Sequence, residues 1–211
     1  NGKRVAAKRR PKPKQLLRHV FVMPAVRGRD LMHWVDAYAE ARRRPPLRLV
    51  AAVARDLFRA LVVLQEANVL HTDIKPENIL VESSATTLDE LEEQPLTAML
   101  TDFGCACDDW EKVSDSVCTR QYQPPESILC AGYTFSLDVW SAACTVFEFA
   151  TTQLLFDVRS ASACSGDSHD DEVADELDEH HLSLMQSLCG EMPKRLISKG
   201  QRSRDFYSAR G

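Results

Sequence analysis

The stretch H-T-D-I-K-P-E-N-I-L, residues 71–80, constrains this chain more than any other part of its sequence. It sets Asp73, Lys75 and Asn78 on one short polar turn between two apolar segments. A carboxylate can accept a proton from a hydroxyl group, an ammonium group can neutralise a phosphate, and an asparagine oxygen can coordinate Mg²⁺. The stretch therefore indicates a site that handles phosphate groups, since such chemistry depends mainly on positioning and charge neutralisation.

Three further motifs follow along the chain: T-D-F-G at residues 101–104, P-P-E at residues 124–126 and S-L-D-V-W-S at residues 136–141. Protein kinases carry H-x-D-x-K-x-x-N in the catalytic loop, then D-F-G, which holds Mg²⁺, and then A-P-E. The catalytic-loop motif alone is moderately specific, whereas four motifs in this order are highly specific. The sequence therefore resembles a protein kinase, which transfers the γ-phosphoryl group of ATP with the help of Mg²⁺.

The finer resemblance rests on H-T-D-I-K-P-E-N-I-L, T-R-Q-Y-x-x-x-E and L-D-V-W-S-x-A-C. These strings resemble the SR-protein kinases, which phosphorylate serine in arginine/serine-rich splicing factors; the related LAMMER-type kinases share the H-T-D variant. The resemblance runs from about residue 19 to residue 211. It implies an α+β, protein-kinase-like fold made mainly of the α-helical C-terminal lobe, with the small lobe largely absent.

The expected domains are a basic tail or loop insertion at residues 1–18, the last small-lobe strand and hinge at residues 19–28, and a C-terminal lobe at residues 29–211 that is incomplete at its C-terminal end. No G-x-G-x-x-G motif is present. Lys8 ends the string V-A-A-K, which resembles V-A-I-K, the kinase motif whose lysine anchors a phosphate. Lys8 lies too close to Met23, however, for the helix and the strand that must lie between them.

The resemblance also implies roles for individual side chains. Asp73 is the catalytic base, Lys75 contacts the phosphate, and the Thr119 hydroxyl steadies both. Asn78 and Asp102 are the expected Mg²⁺ ligands. These residues form the predicted catalytic and metal site.

The adenine of ATP is expected to bind at the hinge. The apolar run 19–23 predicts a strand, with Met23 at the back of the pocket. The C=O of Pro24 and the N–H of Val26 would then hydrogen-bond the base, since proline keeps its C=O. By resemblance, Leu80 forms the floor of the pocket.

Three further positions are interpreted through the resemblance. Asp138 matches the buried aspartate that ties the catalytic loop to the following helix, and it also fits a helix N-cap. His71 is expected to be a structural, hydrogen-bonding histidine. Gln123 stands where the family carries a second arginine, so the geometry of the turn that faces the substrate is left open.

Periodicity predicts several helices. Asp30 is expected to cap a helix with an apolar stripe at Leu31, Trp34, Val35 and Tyr38. A long helix after Pro46, ending near Asn68, carries a stripe too wide for a surface helix and is expected to lie in the core. Its apolar residues are Leu49, Val50, Val53, Leu57, Phe58, Leu61, Val62 and Leu64. Residues 82–97 show no sustained periodicity and are interpreted as a surface insertion, and an apolar helix is predicted from residue 136 or 138 to residue 149.

Acidic residues crowd the beginning of another predicted helix, which ends near Gly190: Asp170, Asp171, Glu172, Asp175, Glu176, Asp178 and Glu179. They form either a solvated face, favoured by the helix dipole, or a docking face for arginine-rich peptide of the kind the resemblance implies. The expected partners are therefore ATP and basic, arginine/serine-rich proteins.

The charge distribution and the cysteine content limit which other partners and which cellular location are expected. Residues 1–18 are strongly basic, yet prolines interrupt them and no aromatic residue is interleaved, so direct nucleic-acid binding is not expected. The sequence has no apolar run long enough to suggest a membrane partner. The seven cysteines include no C-x-x-C pair, which favours a reducing interior, cytoplasmic and nuclear. Cys144 and Cys189 lie among apolar residues and are expected to be buried.

Two functions stay open from sequence. The first is a serine/threonine kinase acting on arginine/serine-rich proteins, favoured because the large-lobe catalytic residues are all retained. The alternative is a truncated kinase or pseudokinase that acts as a binding scaffold for basic partners. Without a small lobe, the 211-residue chain by itself is expected to be inactive.

Overall fold

The computed structural model describes residues 25–108, 117–158 and 170–208. The basic residues 1–18 and the predicted adenine contacts Met23 and Pro24 lie outside these ranges. Within them, every helix is too short or too polar to cross a membrane.

The architecture is α+β, as predicted, and mostly helical. The helices are α1 (Leu31–Glu40), α2 (Leu47–Glu66), α3 (Leu88–Glu93), α4 (Pro125–Ile128), α5 (Ser136–Thr151), α6 (Asp170–Cys189), α7 (Lys194–Lys199) and α8 (Ser203–Phe206). The strands are β1 (Gly28–Asp30), β2 (Val69–Leu70), β3 (Ile79–Glu82), β4 (Thr97–Leu100) and β5 (Cys107–Asp108). Short 3₁₀ turns lie at Pro76–Asn78, Phe103–Cys105 and Arg120–Tyr122.

Two small antiparallel sheets frame the catalytic loop. The first has the order β1-β3-β4, and the second pairs β2 with β5. Gly28 has φ +153°, and a side chain there would collide with the backbone oxygen of Val81, so glycine permits β1 to approach β3. The loop between β2 and β3 is thus held at both ends by strand pairing.

The first predicted helix is confirmed. The Asp30 carboxylate accepts a hydrogen bond from the N–H of His33 at 2.8 Å, which caps α1. The predicted apolar stripe is buried along its whole length. This stripe anchors α1 in the main hydrophobic core.

The prediction for α2 is confirmed in part. The helix begins after Pro46, ends just before Asn68 (φ +55°), and packs on α5 and β4. Five of its predicted core residues are buried: Leu49, Val50, Val53, Leu57 and Leu61. Phe58 and Val62 are 40% and 55% exposed, so the expectation that they lie in the core is wrong. The stripe is wider than the face that α5 and β4 cover.

Residues 82–97, interpreted as a surface insertion, are mostly exposed or half-buried, but they contain a short helix, α3, that periodicity did not predict. The Thr87 side chain accepts a hydrogen bond from the N–H of Glu90, and the Glu90 side chain caps in return, which starts α3. Leu91 is 1% exposed and belongs to the main core. Arg43 pairs with Asp89 and the carboxylate of Glu92, both at 2.8 Å, and fixes α3 against the end of α1.

Helix α5 passes through the middle of the lobe and links two hydrophobic clusters. Ala142 and Phe149 lie in the main core with α1 and α2, whereas Cys144 packs in a second cluster with Leu182 and Met185 of α6. The burial of Cys144 is confirmed. Cys189, at the end of α6, is exposed, so its predicted burial is wrong.

Candidate active site

Helix α5 holds the backbone of the catalytic loop. The Asp138 carboxylate accepts hydrogen bonds from the N–H of His71 at 2.7 Å and from the N–H of Thr72 at 2.9 Å. Asp138 is 2% exposed, and burial raises its pKa while the two N–H donors lower it. The structure therefore shows the predicted hydrogen bonds between the loop and the helix. The alternative that Asp138 is the N-cap of α5 is wrong, because Phe135 occupies the N-cap position.

His71 is structural, as predicted. Its Nε2 hydrogen-bonds the backbone oxygen of Thr101 at 2.9 Å, and its Nδ1 accepts from the N–H of Asp73 at 3.3 Å. The ring is fully buried and meets the ring of Phe103 edge to face at 5.0 Å. This arrangement fixes the proton on Nε2 and joins the catalytic loop to the Asp-Phe-Gly segment.

Thr72 joins the same two segments from the other side. It adopts a left-handed conformation with φ +67°, and its hydroxyl donates to the backbone oxygen of Cys105 at 2.8 Å. The side chain is 1% exposed. A β-branched residue in this conformation is strained, and the strain persists because the surrounding bonds determine the turn.

The four predicted catalytic residues come together. The Thr119 hydroxyl donates to Asp73 Oδ1 at 2.7 Å and accepts from Lys75 Nζ at 2.9 Å. Lys75 Nζ also lies 2.9 Å from Asp73 Oδ2. The Asn78 amide nitrogen donates to the same Oδ2 at 3.1 Å and to the backbone oxygen of Asp73 at 2.7 Å.

These contacts set the charge state of the pair. Burial alone would raise the pKa of Asp73, but hydrogen bonds from Lys75 and Thr119 hold it below its ordinary value. Burial likewise would lower the pKa of Lys75, and Asp73 raises it above its ordinary value. Asp73 is therefore a carboxylate and Lys75 an ammonium at neutral pH.

The residues expected to hold Mg²⁺ fit that ion. The amide nitrogen of Asn78 is turned to Asp73, so its oxygen is the atom left for a cation. Asp102 is exposed, adopts a left-handed conformation and accepts a hydrogen bond from the N–H of Gly104 at 3.2 Å. The charge of Asp102 is among the charges that raise the pKa of Lys75. Among the described residues, no group of three or more His, Cys, Asp or Glu side chains is placed to hold a metal ion by itself.

The predicted adenine contacts are placed only in part. Leu80 is half-buried in β3, opposite Asp30 of β1 and Met99 of β4. Val26 is half-buried just before β1. Met23 and Pro24 lie outside the described residues, so the adenine pocket stays a prediction.

Gln123 is not a surface residue of the turn. It is 8% exposed, and its Nε2 donates to the Ser127 hydroxyl at 3.0 Å. The neighbouring Tyr122 hydroxyl donates to Glu148 at 2.5 Å. The turn after Thr119 is thus held from within by α4 and α5.

Sequence reasoning missed one cluster beside this turn. Asp178, expected in the acidic docking face, is 7% exposed and pairs with Arg120 and Arg202. Asp175 pairs with Arg202 at 2.6 Å. Both readings of the acidic face, solvated or docking, are therefore corrected for Asp178, which is buried and paired. The docking reading is also corrected for Asp175, because an arginine of the same chain binds it.

A signal for this burial is present in the sequence. Asp178, His181, Leu182 and Met185 follow the spacing i, i+3, i+4, i+7, and all four are buried. An acidic residue on the apolar stripe of a helix must be paired, since an isolated buried charge is costly. Its partner Arg120 directly follows Thr119, one of the predicted catalytic residues.

Comparisons with known proteins agree with this geometry. The profile of the protein kinase domain matches residues 12–205. Dual specificity protein kinase CLK2 of Homo sapiens is 33% identical over 173 residues, which cover 78% of this chain and 31% of that protein. Dual specificity protein kinase lkh1 of Schizosaccharomyces pombe is 31% identical over 175 residues, 79% of this chain and 23% of that protein. Serine/threonine-protein kinase SRPK of Physarum polycephalum is 29% identical over 212 residues, 79% of this chain and 47% of that protein.

The relatives include kinases named CLK2 and SRPK alike, so they do not separate these two groups. The chain spans less than half of the length of each of these relatives. The family match covers most of the sequence and confirms the predicted protein-kinase fold. Because that match includes the catalytic turn, the Asp-Phe-Gly segment and the turn at Thr119, this chain belongs to the protein kinase domain family.

Proposed function

We propose that this protein is a serine/threonine kinase of the SR-protein-kinase type, which transfers the γ-phosphoryl group of ATP to serine in arginine/serine-rich proteins. The observation that carries the proposal is the hydrogen-bonded set of Asp73, Lys75, Asn78 and Thr119. This set combines a carboxylate base with a cation and an amide oxygen on one turn. Such groups serve phosphoryl transfer, which depends on positioning and charge neutralisation.

The Asp73 carboxylate accepts four hydrogen bonds in this structure. They come from the hydroxyl and the N–H of Thr119 at 2.7 and 3.3 Å, from Lys75 at 2.9 Å and from Asn78 at 3.1 Å. A carboxylate offers about four lone-pair sites. A substrate hydroxyl must therefore replace one of these donors before Asp73 can act as its base.

Lys75 is the donor suited to leave. Its long side chain is flexible and carries the positive charge that a transferring phosphoryl group attracts. When Lys75 turns to the phosphate, Asp73 Oδ2 becomes free to accept the hydrogen of the substrate hydroxyl. Thr119 and Asn78 meanwhile keep the carboxylate in place, since the backbone holds both on fixed turns.

Mg²⁺ held by Asn78 and Asp102 would neutralise the phosphates of ATP during this step. The proposed use of ATP and Mg²⁺ follows from the protein kinase domain and from these two oxygen ligands.

The test of the activity is the Asp73→Asn variant of the native full-length protein. Asparagine keeps the size of the side chain but cannot take up the proton. We expect the kcat for transfer from ATP to a serine peptide to fall by about 10²- to 10⁴-fold, while nucleotide binding is retained. Asp36→Asn, an exposed change on α1, is the matched control and should keep full activity.

Two outcomes would count against this function. Full turnover by Asp73→Asn would show that Asp73 is not the base. A native protein that binds basic peptides without any transfer would favour the scaffold function instead.

The substrate class rests on the exposed acids of α6. Glu176 and Glu179 are exposed and lie three residues apart on one face of the helix. Carboxylates on such a face accept hydrogen bonds from arginine side chains, often as bidentate pairs. The relative named a serine/threonine-protein kinase supports serine as the acceptor. Binding of a peptide of Arg-Ser repeats is the measurement that tests this step.

A further inference from the structure

One aspartate of α6 joins two arginines from distant parts of the chain. Asp178 Oδ1 accepts from Arg120 Nη1, and Asp178 Oδ2 accepts from Arg202 Nη1 at 2.8 Å. Both carboxylate oxygens are thus occupied by guanidinium groups of this chain. Asp178 is 7% exposed, so its carboxylate is shielded from water, whereas the side chains of Arg120 and Arg202 are 32% and 31% exposed. Salt screens such partly buried pairs less than fully exposed ones.

Arg202 is itself firmly placed. Its backbone N–H donates to the backbone oxygen of Leu129 at 3.1 Å, and its Nη1 lies 3.4 Å from the backbone oxygen of Ile128. Its guanidinium carbon lies 5.0 Å from the centre of the Phe206 ring. Burial lowers the pKa of Arg202, while the hydrogen bond and charge of Asp178 raise it above its ordinary value. Arg202 therefore fixes Asp178 against the end of α4.

Arg120 carries the connection to the catalytic site. It begins the 3₁₀ turn Arg120–Tyr122 and directly follows Thr119. The backbone oxygen of Thr119 accepts from the N–H of Tyr122 at 2.9 Å, so the turn closes directly on Thr119. The N–H and hydroxyl of Thr119 both donate to Asp73 Oδ1. A continuous set of polar contacts thus runs from Arg202 to the proposed catalytic base.

We propose that Asp178 is a positioning residue for phosphoryl transfer: by holding Arg120 through a buried ion pair, it sets the Thr119 hydroxyl against Asp73. The inference rests on the proposed kinase function. Its role differs from that of the exposed Glu176 and Glu179, because Asp178 faces the interior and binds arginines of its own chain. An acidic helix expected from sequence to serve substrate binding thereby contributes to the geometry of the active site.

The first test is the Asp178→Asn variant of the native full-length protein. Asparagine keeps the shape but removes the charge and turns an amide nitrogen toward one guanidinium group. We expect kcat to fall about tenfold or more, because a small displacement of Thr119 misplaces the base, while the KM for ATP stays within about twofold. Asp175→Asn is the matched control, since Asp175 meets only the outer nitrogen of Arg202 and its side chain is 62% exposed. That variant should keep the native kcat.

A second readout does not depend on activity. The N–H of Thr119, bonded to Asp73, should exchange with solvent about tenfold faster in Asp178→Asn than in the native protein. The N–H of Thr101, bonded to the backbone oxygen of Asn78 at 2.9 Å, should keep its exchange rate. This comparison separates a local loosening of the turn from general unfolding.

Arg120→Ala completes the design, because Arg120 is about one-third exposed and its truncation leaves Asp178 paired with Arg202. If Asp178 acts through Arg120, the double variant should lose no more kcat than the worse single variant. The proposal is overturned if Asp178→Asn keeps kcat and the Thr119 exchange rate within twofold of the native values. A native protein without transferase activity would refute the kinase function, and Thr119 exchange would still decide whether Asp178 holds the turn.

Discussion

At the residue scale, the predicted catalytic turn is held by side chains buried beneath it. Asp138 binds two backbone N–H groups of the loop, and His71 bridges Asp73 to Thr101. These contacts fix the backbone of the loop that carries Asp73 and Lys75. Such preorganisation is the main contribution a protein makes to phosphoryl transfer.

Another buried histidine should limit stability in acid. Burial, together with the charge of Arg120 and with His180, lowers the pKa of His181 from 6.5 to about 4. Between these values the unfolded chain binds a proton at this position and the folded chain does not. The free energy of unfolding should therefore fall as the pH drops from about 6.5 to about 4, by about 3 kcal/mol from this group, with no contribution to the slope outside that window.

The measurement is urea unfolding of the native protein and His181→Leu at several pH values. Neither ring nitrogen of His181 has a hydrogen-bond partner among the described residues, so leucine removes the titration without breaking a bond that the structure shows. In His181→Leu, the free energy of unfolding should fall less between about pH 6.5 and pH 4 than in the native protein. His33→Gln, at a partly exposed position on α1, should show the native pH dependence. Identical slopes in the native protein and His181→Leu would contradict the assignment.

At the element scale, α3 shows how a short polar segment becomes part of the core. Its capping box starts the helix, and Leu91 places one apolar side chain against α1 and the sheet. The sequence between residues 82 and 97 offers too few apolar positions for a periodicity to be recognised. The T-x-x-E capping signal at Thr87 was nevertheless present.

Truncation of Leu91 tests whether α3 is structural. Leu91 is 1% exposed, so Leu91→Ala should leave a cavity and lower the free energy of unfolding by about 2–5 kcal/mol. Denaturant unfolding measures this loss. Glu93→Ala, at an exposed position on the same helix, should change stability by less than about 0.5 kcal/mol. A small effect for Leu91→Ala would mean that the helix is only an appended surface turn.

At the scale of the whole molecule, charge is distributed unevenly. The net charge is −5, yet residues 1–18 are basic and the acids concentrate in and before α6. Part of this acidic charge is neutralised internally by Arg120 and Arg202. The exposed remainder is the surface that the proposed basic substrate would meet.

Charge reversal of Glu176→Lys with Glu179→Lys tests that surface. An exposed pair contributes only about 0.2–1 kcal/mol, so binding of an Arg-Ser repeat peptide should weaken several-fold at low salt and much less at high salt. The control reverses Asp36 and Glu40, which are exposed on α1. Equal binding by both double variants at low salt would leave the acids of α6 as a solvated face only.

The local features of this protein were readable from the sequence by itself. Asp73, Lys75 and Asn78 share one turn because they lie close together in the sequence. The apolar stripe of α1 follows from helical periodicity, and the cap follows from the aspartate at position 30. The predicted role of Thr119 came from a family resemblance, and the structure brings it to Asp73 across 46 positions.

Only the tertiary structure decided which charged residues of α6 are buried and how much of the apolar stripe of α2 is covered by other elements. Periodicity marks the face of a helix that is apolar, but it does not reveal which neighbour will cover that face. Phe58 is therefore exposed on α2, where the stripe exceeds the contact with α5 and β4. Asp178 can be buried because Arg120, 58 positions away, and Arg202 neutralise its charge. The packing of distant segments brings these partners together, so the sequence near Asp178 does not reveal them.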